Sequence, residues 1–320
     1  MRYRPAHSVL LQVLLAALFV ALAATLVSTT AEHLRERGIR SGFDFLLQQA
    51  GFSLSESSFP FSAEDSTLWA FVAGLLNTLR VALPAALLAL LLGLLLGFSR
   101  LSANFLVRSL ARLYVEAFRN VPLLLQLLAC YFVLTDILPT ADQAIRIGNA
   151  FFLSKSGFAL PWWSEGALDI PYPGRFGIEG GARLTPEYLA MLCGLTFYTA
   201  AYIAETLRAS IQALPVGQSL AALALGMTRA QAFRRVLLPQ AWRAALPPIT
   251  SQLLNLFKNA SLAVMIGYPD LVSVAGTTLN QTGRAIECIV IVIGVYLSLS
   301  LVFAALSAAF ERRSLRGSVA

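Results

Sequence analysis

The sequence predicts an all-α polytopic membrane protein with about six transmembrane helices. Of its 320 residues, 57% are hydrophobic and only 13% are charged, whereas soluble domains average about 25% charged residues. The apolar residues are also grouped into runs long enough to cross a bilayer, which takes about 20 residues. A soluble fold of this size has too little interior to hide that much apolar surface. The composition therefore excludes a disordered chain and argues against a soluble enzyme.

Six apolar runs follow one another along the chain, with few charged interruptions. The first run has no charged residue and exceeds the apolar core of a secretory signal, about 7–15 residues, so we expect an uncleaved anchor. Arg80 interrupts the second run, and Lys258 interrupts the fifth. Glu116 and Arg119 lie near the start of the third, where we expect them to form a local pair. The predicted spans are 8–27, 69–98, 113–138, 187–207, 244–267 and 288–310.

The basic residues predict the orientation of these spans. The net charge is +7, and almost every basic residue is Arg. With six spans both termini share one side, and more Arg residues flank the spans there than on the other side. Since cytoplasmic loops carry the excess of Arg and Lys, we expect both termini in the cytoplasm. The Arg residues lie between apolar runs, so we expect contact with membrane lipid and no nucleic-acid partner.

Two long segments, 31–67 and 139–186, fall on the predicted outer side. The second is rich in aromatic residues, Pro and Gly, and includes Trp162, Trp163 and Tyr172. One interpretation is a set of interfacial loops whose aromatic rings lie at the depth of the lipid headgroups. The other is a docking platform for a partner outside the cell, and the sequence leaves both open.

The residue types that catalysis needs are scarce. The two His and the three Cys (Cys130, Cys193 and Cys288) show no metal-ligand or nucleophile–base spacing. A P-loop requires Lys followed by Ser or Thr at the end of a glycine-rich turn. Lys155 precedes Ser156 without such a turn, and Lys258 precedes Asn259. We therefore expect no catalytic residue, no metal and no cofactor bound by this chain.

The most informative stretch joins the fourth and fifth spans on the predicted cytoplasmic side. Its first part, 217–225, is rich in small residues and predicts a helix, which Gly226 can end in the left-handed conformation. Thr228 with Gln231 three residues later predicts a capping box for a second helix over 229–237, ended by Pro239. Such a pair either lies on anionic lipid or seats in a groove of a cytoplasmic protein.

These residues resemble the "EAA" loop of ABC-transporter permeases, with the pattern E-A-A-x3-G-x9-I-x-L-P. Gly226 is followed, after nine residues, by Val236-Leu237-Leu238-Pro239. Residues 116–126 and 256–262 resemble flanking motifs of the polar amino-acid uptake permeases, the histidine/glutamine type. The long first outer segment looks like that of the broad-specificity general L-amino-acid permeases. The resemblance covers roughly 70–312, and one position departs from it, because Leu220 stands where the family has Glu.

The resemblance implies a type I ABC importer permease fold in a bacterial inner membrane. It implies a first segment, 1–67, with an anchor helix and a periplasmic stretch. A permease domain over 68–312, with a periplasmic insertion at 139–186, follows this segment. Residues 313–320 would form a cytoplasmic tail. It also implies several partners: a dimer of ATP-binding subunits, which uses the ATP, a second permease, a periplasmic amino-acid-binding protein and an L-amino acid. The loop residues expected to contact the ATPase are Gly217, Gln218, Leu220, Ala221, Ala222, Gly226, Val236, Leu238 and Pro239.

Polar residues inside the fourth and fifth spans form one face on each predicted helix. In lipid such faces turn away from the acyl chains, and they either line a translocation path and its gate or join helices by hydrogen bonds. Inserting a lone cation near the centre of a transmembrane helix costs at least about 2.5–3.5 kcal/mol. Lys258 therefore needs a partner of opposite charge or a water-filled cavity. Glu205 is one candidate partner. The candidate path or gate residues are Tyr198, Tyr202, Glu205, Ser251, Asn255, Lys258 and Asn259.

The function predicted from these features is a permease subunit of an ATP-driven importer of polar L-amino acids. An ion-gradient-driven secondary transporter would be expected to show inverted repeats and interrupted helices in matching positions, and we find neither. A non-transporting membrane scaffold would have no use for two polar helix faces. Both remain as alternatives that an uptake measurement can separate from the importer.

Overall fold

The computed structural model describes residues 6–36, 42–164, 166–174 and 177–316, and these are mainly helical. Among these residues, three helical segments are long and apolar enough to cross a membrane: Thr67–Ser99, Pro186–Gln212 and Ala285–Ala309. The number is five if each of two bent helix pairs counts as one span. The first helix adds a shorter apolar stretch, Leu11–Leu22. The predicted all-α class is confirmed. The helices are α1 Ala6–Glu36, α2 Thr67–Ser99, α3 Phe105–Asn120, α4 Leu123–Phe132, α5 Pro186–Gln212, α6 Val216–Ala224, α7 Arg229–Ala232, α8 Leu238–Asn259, α9 Leu271–Thr282 and α10 Ala285–Arg316.

The third predicted span, 113–138, is not one helix, and this prediction was wrong. The helices α3 and α4 meet at an angle of 105°. The break lies at Val121, which is extended because the ring of Pro122 excludes the helical conformation of the residue before it. The helix α4 packs against α5 and leads into a π-helical turn, Val133–Ile137. The expected pair of Glu116 with Arg119 is also wrong, since Glu116 bonds Arg112 at 2.8 Å.

The centre of the bundle is the contact between α2 and α5, where glycines allow the two helices to approach closely. A Cβ atom added to Gly93 would lie 2.7 Å from the Cβ of Ile203, and one added to Gly97 would lie 2.9 Å from a methyl group of Leu207. Both Ile203 and Leu207 are fully buried. The pair Gly93 and Gly97 is thus a small-xxx-small contact of the kind that brings membrane helices together.

We expect Gly93→Ala to destabilise the protein by about 1–3 kcal/mol, because the added methyl group overpacks a tight contact. The matched control is Gly294→Ala in α10, where an added Cβ meets no atom within 4 Å. Thermal unfolding of the purified chain in detergent measures both. Equal melting temperatures for the two variants would contradict the close α2–α5 contact.

The described residues of 139–186 contain eight short strands, which no pattern in the sequence predicts. One four-stranded antiparallel sheet has the order β1-β2-β3-β8, and two hairpins pair β4 with β5 and β6 with β7. Each strand has only three or four residues, too few for a visible alternating pattern. The strands are β1 Ile145–Ile147, β2 Phe151–Ser154, β3 Gly157–Leu160, β4 Trp162–Ser164, β5 Ala167–Asp169, β6 Tyr172–Gly174, β7 Gly177–Glu179 and β8 Ala182–Leu184.

Residues 42–66 lie against the same end of the bundle as these strands, and we call it the strand end. Near the start of this segment, Asp44 forms an ion pair of 3.1 Å with Arg284, the residue that precedes α10. Further along, Glu56 forms an ion pair of 2.6 Å with Arg80 in α2 and accepts a 2.7 Å hydrogen bond from Thr185. Arg80, which interrupts the second apolar run, is therefore neutralised by this segment. The opposite end, with residues 213–237, is called the loop end.

Candidate functional site

The loop end carries the two short helices that the sequence predicts, joined at Gly226. Gly226 has φ +79° and ends α6. Its N–H donates to the Leu223 carbonyl at 3.0 Å, and the N–H of Met227 donates to the Ala222 carbonyl at 3.1 Å. This is the Schellman arrangement, which needs a left-handed residue at the position of Gly226. The glycine therefore fixes the turn between α6 and α7.

The second helix starts as predicted and ends later than predicted. Thr228 and Gln231 form the capping box, with each side chain bonded to the backbone N–H of the other residue. Pro239 does not end this helix, which is a correction. After α7 a π-helical turn, Phe233–Leu237, leads directly into α8, and Pro239 lies in the first turn of α8. Proline is tolerated there because the first N–H groups of a helix have no intrahelical partner.

The helix α6 exposes apolar side chains on one side and packs against the chain through a small residue on the other. Ala222 is buried, and α6 contacts the turn Phe233–Leu237 through this side. Val216, Leu220 and Leu225 are 73%, 61% and 80% exposed. Leu220, the residue at the family's Glu position, therefore presents a methyl-bearing side chain to the outside. The remaining loop residues Gly217, Gln218, Ala221 and Pro239 are exposed, and Val236 and Leu238 are half-buried.

The polar face predicted on the fifth span forms one open stripe along α8. Ser251, Asn255 and Lys258 are exposed, and Asn259 is half-buried. The opposite side of α8 packs into the core through Ile249, Leu256 and Phe257. Among the residues that the structure describes, no ion pair includes Lys258.

The polar residues of α5 contact α3 and the residue that follows α2. Glu205 forms ion pairs with Arg100, with Arg208 at 2.5 Å and with Arg119 at 3.9 Å. The expected partnership of Glu205 with Lys258 is therefore wrong. The physical reason is that Arg100, just after α2, and Arg208, one turn further along α5, already neutralise the carboxylate.

Two tyrosines continue this group along α5. The hydroxyl of Tyr198 donates to the hydroxyl of Tyr202 at 3.4 Å, and the guanidinium of Arg119 lies 5.3 Å from the ring centre of Tyr202. Tyr202 also donates to the Arg119 carbonyl at 3.5 Å. The α5 candidates thus contact α3, and the hydrogen bonds recorded for the described residues do not join them to the stripe on α8. The two predicted polar faces form separate sites within this chain.

We expect Glu205→Gln to lower the free energy of unfolding by about 1–3 kcal/mol, because it leaves clustered guanidinium groups without their carboxylate. The matched control is Glu116→Gln, which loses only an exposed pair with Arg112 and is expected to leave the stability almost unchanged. Thermal unfolding of both variants, at low and moderate salt, measures the difference. Equal effects would show that the cluster around Glu205 contributes no more than a surface pair.

Sequence reasoning missed the polar network at the strand end. Asn77, fully buried in α2, donates from its amide to the Glu56 carbonyl at 2.9 Å and to the Pro269 carbonyl at 3.0 Å. The hydroxyl of Tyr268, also buried, donates to the Asn77 carbonyl at 3.1 Å. A buried Asn in an apolar run is the signal that could have located this network. The three cysteines are free, and the described residues contain no cluster of His, Cys, Asp or Glu that could hold a metal.

Residues 89–316 match the family model of the binding-protein-dependent transport system inner membrane component. The chain is 35% identical to the general L-amino acid transport system permease protein AapQ of Rhizobium johnstonii, over 93% of this chain and 90% of AapQ. It is 33% identical to BztB of Rhodobacter capsulatus, a glutamate/glutamine/aspartate/asparagine transport system permease protein, over 94% and 92%. A crystal structure of an amino acid ABC transporter with histidines aligns with a TM-score of 0.59 and 28% identity, over 77% of this chain and 94% of that one.

Proposed function

Because the chain belongs to the family of binding-protein-dependent transport system inner membrane components, we propose that it is a permease subunit of an ATP-driven importer of polar L-amino acids. The observation that carries the proposal is the joint between α6 and α7, with its left-handed Gly226 and capping box. The relatives AapQ and BztB are transport system permeases for amino acids by name, which supports the cargo class.

The loop end is proposed as the surface that couples this chain to a separate ATP-binding subunit. The exposed apolar residues Val216 and Leu220 of α6, with Leu225 just after the helix, give the loop end a surface that can seat in a groove. Leu220 replaces the polar contact of the family's Glu with an apolar one, so the matching groove is expected to be apolar at that point. ATP is bound and hydrolysed by that subunit, and this chain binds no cofactor.

The exposed stripe of α8 is proposed to line the translocation path between this chain and a second permease subunit. An uncompensated Lys258 facing acyl chains would be costly, and a wet path between two subunits removes that cost. Ser251, Asn255 and Asn259 supply hydrogen-bonding groups to the same path. Tyr198, Tyr202 and Glu205 contact α3 and the end of α2. Their proposed role in transport is to hold α3 in position against α5.

The loop end faces the cytoplasm in this proposal, and both termini lie on that side of the inner membrane. The excess of Arg near the loop end supports this orientation. The strand end then lies in the periplasm, where residues 139–186 form the docking platform for an amino-acid-binding protein. The exposed rings of Trp162, Trp163 and Tyr172 supply the apolar contacts. Residues 68–312 act as the translocating domain, 1–67 as its anchor and periplasmic lead, and 313–320 as the tail.

Uptake by the reconstituted complex tests this function. The chain is purified with its ATP-binding, second permease and binding-protein partners, placed in vesicles, and tested with a panel of labelled amino acids with and without ATP. We expect ATP-dependent uptake of polar amino acids that requires the binding protein. Uptake driven by an ion gradient in the absence of ATP would replace the proposal by a secondary transporter. No uptake of any compound in the panel would overturn the amino-acid cargo.

A further inference from the structure

A cavity at the loop end is lined by four arginines from three separate elements. Arg100 follows α2, Arg108 and Arg112 lie on α3, and Arg208 lies near the end of α5. The cavity has a volume of about 520 Å³, and Phe105 and Ser109 complete its lining. None of these residues belongs to the coupling loop or to the stripe of α8.

The positive charge of this cavity is only partly neutralised within the chain. Glu205 pairs with Arg100 and Arg208, and Glu116 pairs with Arg112. The hydrogen bond of Arg108 goes to a neutral group, the carbonyl of Ser102, at 2.9 Å. Four guanidinium groups therefore meet two carboxylates, which leaves an excess of two positive charges around one cavity. Guanidinium groups in such an arrangement match the oxygens of a phosphate group.

The helix that supplies two of these arginines also exposes an apolar face. Leu106, Leu110 and Leu113 are all exposed, and at 100° per residue they share one side of α3. Arg108 and Arg112 project from another side, and Phe105, which is exposed and lines the cavity, lies between the two. The angle of 105° between α3 and α4 is the arrangement of an interfacial helix beside a span. A ligand at this point meets positive charge and apolar surface together.

We propose that this cavity binds the phosphate headgroup of an anionic phospholipid, with the acyl chains on the leucine face of α3. A free phosphate ion would satisfy only the arginines, whereas a phospholipid also covers Phe105 and the leucines. Basic pockets beside transmembrane helices are known to take anionic headgroups in this way. The inference goes beyond the transport function proposed above, and it does not depend on the cargo, on the ATPase or on which end faces the cytoplasm.

Lipid binding by the purified full-length chain tests this inference. Native mass spectrometry counts phosphatidylglycerol and phosphatidylcholine molecules retained by the chain in detergent over a range of lipid concentrations. The cavity variant is Arg108→Gln with Arg112→Gln, and the matched charge control at the same end is Arg229→Gln with Arg243→Gln. A second variant, Ser109→Trp, fills the cavity without changing its charge. A further arm adds inorganic phosphate in place of lipid.

We expect the cavity variant to bind phosphatidylglycerol about tenfold more weakly than the natural chain. Ser109→Trp is expected to weaken binding as well, and the charge control is expected to leave it unchanged, with melting temperatures confirming that all variants fold. Equal weakening in the charge control, or phosphatidylcholine binding as tightly as phosphatidylglycerol, would overturn the proposal. Inorganic phosphate that occupies the cavity and displaces the lipid would assign the site to a free anion instead.

Discussion

Gly226→Val is expected to abolish ATP-dependent amino-acid uptake while the complex still assembles. The residue holds φ +79°, and the space around its Cα is open, so the cost of a side chain comes from the backbone alone. A left-handed conformation costs an ordinary residue about 1–2 kcal/mol, and a β-branched residue does not settle there. The turn therefore reorganises, the Schellman bonds to Ala222 and Leu223 are lost, and α6 is no longer held against α7.

Two controls separate the backbone effect from a general loss of folding. Gly226→Asn is expected to keep much of the uptake, because Asn tolerates the left-handed conformation. Gly294→Ala lies in α10, away from the loop and with open space around it, and is expected to transport normally. Uptake into vesicles that contain the assembled complex measures all three. Normal uptake by Gly226→Val would show that the turn between α6 and α7 does not transmit movement from the ATP-binding subunit.

Lys258→Met is expected to reduce uptake at least about tenfold, a change of about 1.4 kcal/mol in the transport barrier, without lowering the stability of the protein. Lys258 is exposed on the α8 stripe and pairs with no carboxylate among the described residues, so folding gains nothing from its charge. If the stripe lines a wet path, the charge acts on the passing substrate or on the opposing subunit. Initial uptake rates and melting temperatures of the same preparation measure both quantities.

The control for this variant is Lys258→Arg, which keeps the positive charge and is expected to keep most of the uptake. Met265→Lys places a new charge on an exposed position beyond α8 and serves as a test of general sensitivity to charge. The path assignment would be wrong if Lys258→Met transported at the normal rate. It would also be wrong if the loss of uptake followed a loss of folded protein.

The sequence could predict those features that depend on neighbours along the chain. The capping box of Thr228 with Gln231 and the left-handed Gly226 are local, and both are present as predicted. The small-xxx-small spacing of Gly93 and Gly97 is also local, whereas the helix that these glycines contact is distant in sequence. The bend at Pro122 could also be predicted locally, because a proline excludes the helical conformation of the residue before it. The long apolar run around it instead indicated one continuous span.

Features that depend on distant residues could not be predicted from the sequence. Glu205 lies 105 positions after Arg100, so this partnership depends on how α2 and α5 pack and has no signal along the chain. The same holds for Glu56 and Arg80, which join an outer segment to a helix. The strands of 145–184 are too short for periodicity to reveal, and their pairing depends on glycine turns such as Gly157.

Site-specific photo-crosslinking in the assembled importer tests whether α6 contacts a separate ATP-binding subunit that drives its movement. A photoreactive residue replaces Leu220, which is exposed at the loop end, and in a matched chain it replaces Met265, which is exposed beyond α8. We expect an adduct with the ATP-binding subunit from position 220 whose yield changes when ATP is added, and no such adduct from position 265. Absence of an ATPase adduct at 220 in a complex that transports would contradict this contact.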